Sequence, residues 1–149
     1  MLKIKVKNDS LNELPEYKTP GSSGLDVRAW VEGEPIVIEP HERKLIPTGL
    51  YVELPVGYEF QVRSRSGLAL KEGLIVLNSP GTIDSDYRGE IGIILYNVGN
   101  EAKTINNGDR IAQLVLAKVE MAEFEITHWI ETDLSNQRGN GGFGHSGIK

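Results

Sequence analysis

Cysteine is absent from this sequence of 149 residues, and that absence removes several kinds of protein from consideration. Without a thiol there is no disulfide framework, no cysteine nucleophile and no zinc or iron–sulfur site with cysteine ligands. No apolar run approaches the ~20 residues of a membrane helix, and the charged, alternating start is unlike a signal peptide. Because a sequence without cysteine also fits a reducing compartment, we expect a cytoplasmic protein without a membrane partner.

An excess of positive charge is also lacking. The 16 Lys and Arg residues are outnumbered by 21 Asp and Glu residues, and the net charge is −5. This balance gives no general attraction to nucleic acid or to an anionic membrane. An anionic ligand therefore requires local positive charge or a metal ion. The length and the 39% share of hydrophobic residues fit one globular domain with a real core.

Apolar residues alternate with polar ones along most of the chain, which is the pattern of half-buried strands. The segment LKIKVK places Leu2, Ile4 and Val6 on one face and lysines on the other. Further predicted strands, separated by Gly-containing turns, are LDVRAW, PIVIEP, GLYVELP, YEFQVR, EIGIILYN, RIAQLVLAKV and FEITHWI. Many short strands at regular spacing predict an all-β domain, a jelly-roll-like barrel or sandwich.

One short helix is predicted over residues 66–74, with Ser66 as its N-cap. The chain is expected to divide into a β domain over residues 1–134 and a glycine-rich tail over residues 135–149. Composition alone favours a disordered tail, because it cannot bury enough surface to hold itself in place. Its arginine and phenylalanine favour a lid instead, with the ring stacked on a planar group and the guanidinium paired with phosphate.

The most informative segment is NSPGTIDSDYRGEI, residues 78–91. Asn78 and Asp84 flank a Pro-Gly turn, and two strands joined there would form a narrow slot. The edge of a pyrimidine fits such a slot, where it would bond to backbone groups and to the Asn78 amide, with Tyr87 flat on a sugar. The alternative is a decorated hairpin whose acids face water.

Three other segments are ambiguous when each is taken alone. Asp26 in SSGLDVRA fits a residue that merely begins a strand. In RSRSGLALK, Ser66 and Gly67 at a helix start offer amides to a phosphate beside Arg65, or form an ordinary N-cap with a solvated neighbour. Gln113 interrupts the apolar strand of GDRIAQLVL. A buried glutamine must be hydrogen-bonded, so it is either structural or faces a wet site.

Together and in this order, the segments resemble the trimeric dUTP diphosphatases (dUTPases) along essentially the whole chain. The five motifs that carry the resemblance are SSGLDVRA, RSGLALK, GTIDSDYRGEI, GDRIAQLVL and RGNGGFGHSG. The resemblance implies hydrolysis of dUTP to dUMP and pyrophosphate with Mg²⁺, by water attack on the α-phosphorus. It also implies a homotrimer in which each active site combines motifs from three chains.

The resemblance assigns the base and the sugar to the hairpin. Tyr87 would stack beneath the deoxyribose and leave no room for a 2′-hydroxyl, and Gly92 would add a backbone contact. The residues that would contact the uracil edge are Asn78, Gly81, Thr82 and Ile83.

The resemblance also assigns the chemistry. Asp84 would orient and deprotonate the attacking water, and Gln113 would contact that water or the α-phosphate. Asp26 would hold waters of the magnesium shell. The residues themselves point the same way for Asp84, because without cysteine or a Ser-His-Asp pattern a covalent route lacks its nucleophile and a carboxylate acting on water remains.

The phosphate contacts are assigned to the start of the helix. Ser66, flanked by Arg65 and Gly67, would bind the phosphates and the bridging oxygen that leaves. The sequence has RSRSG where RPRSG is frequent in this family. The change places Ser64 at the position of a proline, and we expect it to alter only local stiffness.

The tail supplies the remaining contacts that the resemblance implies. Arg138 would pair with the γ-phosphate, Phe143 would cover the uracil ring, and Gly144 and Ser146 would lie beside the substrate. Here the tail has GFGHSG where GFGSTG is usual, so His145 replaces a serine and its role is open.

Two other functions are compatible with parts of this pattern. A dCTP deaminase-like enzyme would share the architecture, but such enzymes lack the IDSDYRG hairpin and the RGxGGFG tail. A non-catalytic nucleotide-binding trimer would require a broken Asp84 or a broken lid, and both sequences are intact here.

Overall fold

The computed structural model describes residues 2–128 of the chain. These residues form eleven β-strands and one short α-helix, which confirms the predicted all-β class. In chain order the elements are β1 (Lys5–Asn8), β2 (Gly24–Arg28), β3 (Ile36–Ile38), β4 (Arg43–Pro47), β5 (Leu50–Glu53), β6 (Tyr58–Arg63), α1 (Ser66–Glu72), β7 (Leu74–Val76), β8 (Gly81–Ile83), β9 (Gly92–Asn97), β10 (Lys103–Ile105) and β11 (Arg110–Lys118).

The strands pair antiparallel in two main sheets and two smaller pairs. The larger sheet has the order β2-β11-β6-β8, and the second sheet has the order β4-β9-β7; β1 pairs with β5, and β10 pairs with β3. Alternate residues of both sheets point inward and form one hydrophobic cluster. Val27, Phe60 and Leu114 contribute from the larger sheet, and Ile46 and Leu95 contribute from the second. This arrangement is the jelly-roll-like architecture that the alternating pattern predicts.

Strand β6 lies at the centre of the larger sheet and positions both functional regions. On one side it pairs with β11, where Gln113 lies opposite Arg63. On the other side it pairs with β8, where Val62 lies opposite Gly81. Because β11 also pairs with β2, Gln113 lies opposite Asp26 as well. The sheet therefore carries β8 at one edge and the carboxylate of β2 at the other.

The helix differs from its prediction at both ends. The N-cap is Arg65, in extended conformation with φ −87° and ψ 126°, so the expectation of a Ser66 cap is wrong. No side chain caps the first turn, and the backbone becomes helical directly after the extended Arg65. The helix ends at Gly73, whose left-handed φ of 65° suits glycine, and Leu74 then begins β7.

Seven of the predicted strands are confirmed, but the last one is wrong over the part that the structure describes. Residues 124–128 form no strand, and the side chains of Phe124 and Ile126 are 95% and 96% exposed. An alternating pattern indicates which face of a strand would be buried, but it does not ensure that a neighbouring strand is present to pair with it. Over residues 2–128 no helix has the length and apolarity that crossing a bilayer requires.

Candidate active site

The expectation that the two strands flanking the Pro-Gly turn pair as a hairpin is wrong, because β7 pairs with β9 and β8 pairs with β6, in different sheets. Residues 78–92, the predicted hairpin segment, nevertheless line a small cleft of about 150 Å³, called the hairpin cleft below. Its lining contains all seven predicted site residues between positions 78 and 92, but not Gln113, which was also predicted to contact the attacking water or the α-phosphate. They are Asn78, Gly81, Thr82, Ile83, Asp84, Tyr87 and Gly92. A cleft is therefore present at the predicted segment, formed between the two sheets rather than between paired hairpin strands, and it includes the exposed side chains of Asp84 and Tyr87.

Strand pairing and one close contact shape the closed end of the cleft. The β8–β6 ladder buries Gly81 and Ile83 and leaves Thr82 and Asp84 exposed. A Cβ at Gly81 would lie 3.0 Å from Nδ2 of Asn78, so glycine is what allows the amide to pack against the strand. The peptide bond between residues 79 and 80 in the intervening turn is cis. The Asn78 amide thus lies beside the backbone of β8.

The ring of Tyr87 is fixed by the loop that follows β8. Its hydroxyl donates to the backbone carbonyl of Glu90 at 2.8 Å, and its N–H donates to the carbonyl of Asp84 at 3.2 Å. The residue is 44% exposed. The phenol edge is therefore held in place while part of the ring remains open to a planar or sugar group.

A second cluster of polar side chains, formed by Asp26, Arg65 and Arg110, links β2, β11 and the N-cap of α1. The two carboxylate oxygens of Asp26 accept from Arg65 Nε and from Arg110 Nη1, each at 3.0 Å. Arg65 Nη1 also donates to the backbone carbonyl of Arg110 at 2.8 Å. The sequence did not single out Arg110; its only signal was a cation three residues before Gln113 in the same motif. The Asp26 carboxylate thus fixes both guanidinium groups.

The Gln113 carboxamide is held between two strand ends. Its Nε2 donates to the backbone carbonyl of Ser64 at 3.0 Å. A Cβ at Gly24 would lie 2.1 Å from its Oε1, so glycine leaves the space that this side chain fills. Ser64 also accepts from the N–H of Val76 through Oγ at 2.8 Å. The expectation that serine alters only local stiffness is therefore wrong, because a proline would lack this acceptor.

Positive charge is concentrated beside this second group. A depression of about 470 Å³ is lined by Arg28, Arg65, Lys103 and Arg110, together with acidic neighbours such as Glu72. The predicted phosphate residues Ser66 and Gly67 are exposed in the adjoining first turn of α1. Each of these four cations is paired with a carboxylate, of Glu13, Asp26 or Glu72, so an anionic ligand here would compete with these ion pairs.

The residues around Asp26 could bind Mg²⁺ only through intervening water molecules. Within residues 2–128, no three His, Asp or Glu side chains are grouped closely enough to hold a metal ion. Both oxygens of Asp26 already accept a guanidinium N–H, yet each keeps a further acceptor site. Mg²⁺ commonly retains several waters and is bound through one or two carboxylates plus substrate phosphates. Asp26 is suited to that outer-shell role.

The predicted site residues fall into two separate groups within one chain. The lining of the hairpin cleft includes none of the residues at the other group, namely Asp26, Arg65, Ser66, Gly67 and Gln113. The tail contacts Arg138, Phe143, Gly144 and Ser146, and the boundary at residue 134, lie outside the described residues. Their positions stay predictions.

The fold and the two groups define a jelly-roll-like β domain with a hairpin cleft and a separate cationic pocket. A model of the dUTPase family matches residues 11–147. The chain belongs to the dUTPase family. It is 53% identical to the protein named deoxyuridine 5′-triphosphate nucleotidohydrolase of Finegoldia magna, over 98% of this chain and 99% of that protein.

Solved structures of the family have the same fold. A mutant of the Staphylococcus bacteriophage 80alpha dUTPase, solved with dUpNHpp, matches with a TM-score of 0.87 at 27% identity, over 99% of this chain and 100% of that chain. A mutant of the dUTPase from phage phi11 of S. aureus, described for its structural Mg(II) ion, matches with a TM-score of 0.78 at 26% identity, over 88% of this chain and 100% of that chain.

Proposed function

We propose that this protein is a dUTP diphosphatase, which hydrolyses dUTP to dUMP and pyrophosphate by water attack on the α-phosphorus. The observation that carries the proposal is the single cleft that contains all seven predicted hairpin residues, with Asp84 exposed at its mouth. The Finegoldia relative named for this activity supports the choice of substrate.

The cleft selects the base by matching its edge. Asn78 and the backbone of Gly81, Thr82 and Ile83 pair with the polar edge of uracil. Cytosine would leave these groups unpaired, which penalises it strongly. A 5-methyl group would collide with the hairpin backbone. Tyr87 lies beneath the deoxyribose, where a 2′-hydroxyl has no room.

The carboxylate of Asp84 takes a proton from water as that water attacks. Gln113 contacts the α-phosphate or the water, and its bond to the carbonyl of Ser64 fixes its orientation. Ser66, with Arg65 and Gly67 beside it, binds the phosphates and the oxygen that leaves with pyrophosphate. From the tail, residues Arg138, Phe143, Gly144 and Ser146 close over the substrate as a lid.

Magnesium is the proposed cofactor. Asp26 would hold it through water, and the phosphates of the substrate would hold it directly. When bound, it offsets the phosphate charge and stabilises the leaving pyrophosphate. The structural Mg(II) ion described for the phi11 enzyme supports a role for this metal in the family.

The assembly is proposed to be a homotrimer with shared active sites. The Asp26 group does not line the hairpin cleft of the same chain, which supports a site completed by a neighbouring chain. Two exposed apolar surfaces are also expected to be buried by contact with neighbouring chains. One is a groove of about 220 Å³ lined by apolar residues of β1, β2, β5, β6 and β11, and the other is the segment that carries Phe124 and Ile126.

The proposal includes a cytoplasmic enzyme whose partners are dUTP and its own copies. A net charge of −5 gives no attraction to nucleic acid or to anionic membranes, and the absence of cysteine fits a reducing compartment.

A substrate panel tests the proposed function. The full chain is incubated with Mg²⁺ and with dUTP, dCTP, dTTP or UTP, and pyrophosphate and ammonia are quantified. We expect pyrophosphate from dUTP alone and no ammonia from any substrate. Ammonia from dCTP would establish a deaminase instead, and binding of dUTP without turnover would establish a non-catalytic trimer.

A further inference from the structure

The side chain of Glu90 connects the hairpin cleft to a turn on a different part of the fold. Glu90 lines the cleft beside Tyr87. Its carboxylate oxygen Oε1 accepts the backbone N–H of Thr48 at 3.0 Å and the backbone N–H of Gly49 at 2.8 Å. Two backbone donors on one carboxylate oxygen make a strong, directional anchor, because hydrogen bonds to an ionised acceptor are stronger than those between neutral groups.

The turn that receives this carboxylate is firmly held. Thr48 is 1% exposed, and its hydroxyl donates to the carbonyl of Ile91 at 2.6 Å and accepts from the N–H of Leu50 at 3.2 Å. Gly49 has a left-handed φ of 69°, and a Cβ there would lie 3.0 Å from the ring of Trp30. The turn therefore has little freedom to shift, so the Glu90 carboxylate that is bound to it is also held in place.

Tyr87 depends on the backbone of the same anchored residue. Its hydroxyl donates to the carbonyl of Glu90 at 2.8 Å. The ring passes directly over Gly89, where a Cβ would lie 2.3 Å from the hydroxyl oxygen and 2.5 Å from Cζ. The ring is thus held against the loop by contacts at Gly89 and Glu90. A displacement of the Glu90 backbone would move the phenol with it.

We propose that Glu90 is a positioning residue for sugar selectivity: its carboxylate anchors the loop to the Thr48–Gly49 turn and so holds Tyr87 where it excludes a 2′-hydroxyl. The inference rests on the proposed function of the hairpin cleft and deepens it. Glu90 acts through Tyr87. Its loss should therefore impair discrimination between deoxyribose and ribose before it impairs chemistry at phosphorus.

The test compares kcat and KM for dUTP and for UTP in the full chain and in variants. For Glu90→Ala we expect the ratio of kcat/KM for dUTP to that for UTP to fall about tenfold, with KM for dUTP raised and kcat little changed. Glu90→Gln keeps an oxygen that accepts both N–H groups, so selectivity should return to within about threefold of wild type. Tyr87→Phe should lower the ratio by about as much as Glu90→Ala, and combining the two should add little, because both break one tether.

Asn97→Ala is the control for general loosening. It removes buried hydrogen bonds at the far end of β9 and leaves the bonds of Glu90 to the turn in place. We expect a lower Tm and unchanged selectivity. If Asn97→Ala lowers selectivity as much as Glu90→Ala, general loosening is responsible and the inference is wrong. Unchanged selectivity in a folded Glu90→Ala variant would also overturn it.

Affinities for dUMP and UMP, measured by calorimetry, separate this inference from the proposed function, because binding requires no turnover. A wild-type protein that fails to hydrolyse dUTP contradicts the proposed function. The inference still stands in that case if Glu90→Ala lowers the preference for dUMP over UMP, and it fails if that preference does not change.

Discussion

At the scale of single residues, Asp84 carries the proposed chemistry. It is exposed immediately after buried Ile83, at the end of β8, where water and a phosphorus atom have access. Asp84→Asn keeps the shape of the side chain and removes the proton acceptor. We expect turnover to fall by about 10³-fold and dUTP affinity to stay within about tenfold, measured by single-turnover kinetics and calorimetry.

Asp86→Asn changes an exposed acid in the same loop; it is the matched control and should retain most activity. If turnover and affinity fall equally in the Asp84 variant, the carboxylate is a binding group and the assignment as base is wrong.

Gly24 controls the position of Gln113. Because a Cβ at Gly24 would lie 2.1 Å from Oε1 of Gln113, Gly24→Ala must shift the end of the Gln113 side chain, and we expect this shift to weaken its bond to the Ser64 carbonyl. We expect kcat to fall about tenfold or more with a smaller change in KM. Gly21→Ala is the control, since a Cβ there meets no atom within 4 Å. Full activity in a folded Gly24→Ala variant would show that Gln113 does not act in catalysis.

The sequence indicated these residues to different extents. The hairpin residues were found because they are contiguous and because turn chemistry alone does not require so many polar groups. Arg110, Glu90 and the hydroxyl of Ser64 were missed as contributors. Their partners are distant in sequence: Arg110 pairs with Asp26, 84 positions away, and Glu90 binds Gly49, 41 positions away. Such contacts follow from strand order, which local periodicity does not specify.

At the scale of elements, the end of β9 depends on one buried amide. Asn97 is fully buried; its Nδ2 donates to the carbonyls of Ile38 and Glu101, and its Oδ1 accepts from the N–H of Gly99. Asn97→Ala leaves these three backbone groups without that partner. We expect a loss of about 3 kcal/mol in the free energy of unfolding, measured by urea denaturation at matched protein concentration. Asn100→Ala, on the exposed turn nearby, should change stability by less than about 0.5 kcal/mol. An equally small change for Asn97→Ala would show that water replaces the amide.

The clarity of the apolar pattern, more than strand length, decided which strands were predicted. Strands β6 and β11 were located because six to nine alternating residues give a clear period of two. The three-residue β3 was also located, as an apolar run between prolines, whereas the five-residue β4 has two charged residues and a proline and was missed. The three-residue strands β7, β8 and β10 were missed as well. The start of α1 was misplaced by one residue because the backbone becomes helical directly after Arg65, with no side-chain hydrogen bond to mark the cap.

At the scale of the whole molecule, we expect the proposed lid to be required for activity and not for folding. The elements that carry the core end at Lys118, well before the tail. We expect deletion of residues 138–149 to leave a folded trimer with little activity, measured by light scattering and pyrophosphate release. Full activity in the truncated trimer would contradict the lid, and loss of the trimer would place the tail in assembly.

The most direct test of the account is a structure of the full assembly with Mg²⁺ and a non-hydrolysable analogue of dUTP. The account predicts uracil in the hairpin cleft, its edge on Asn78 and the β8 backbone, the carboxylate of Asp84 facing the α-phosphorus, and phosphates near Ser66 of another chain. An analogue bound elsewhere, or with Asn78 and Asp84 turned away from it, would contradict the account.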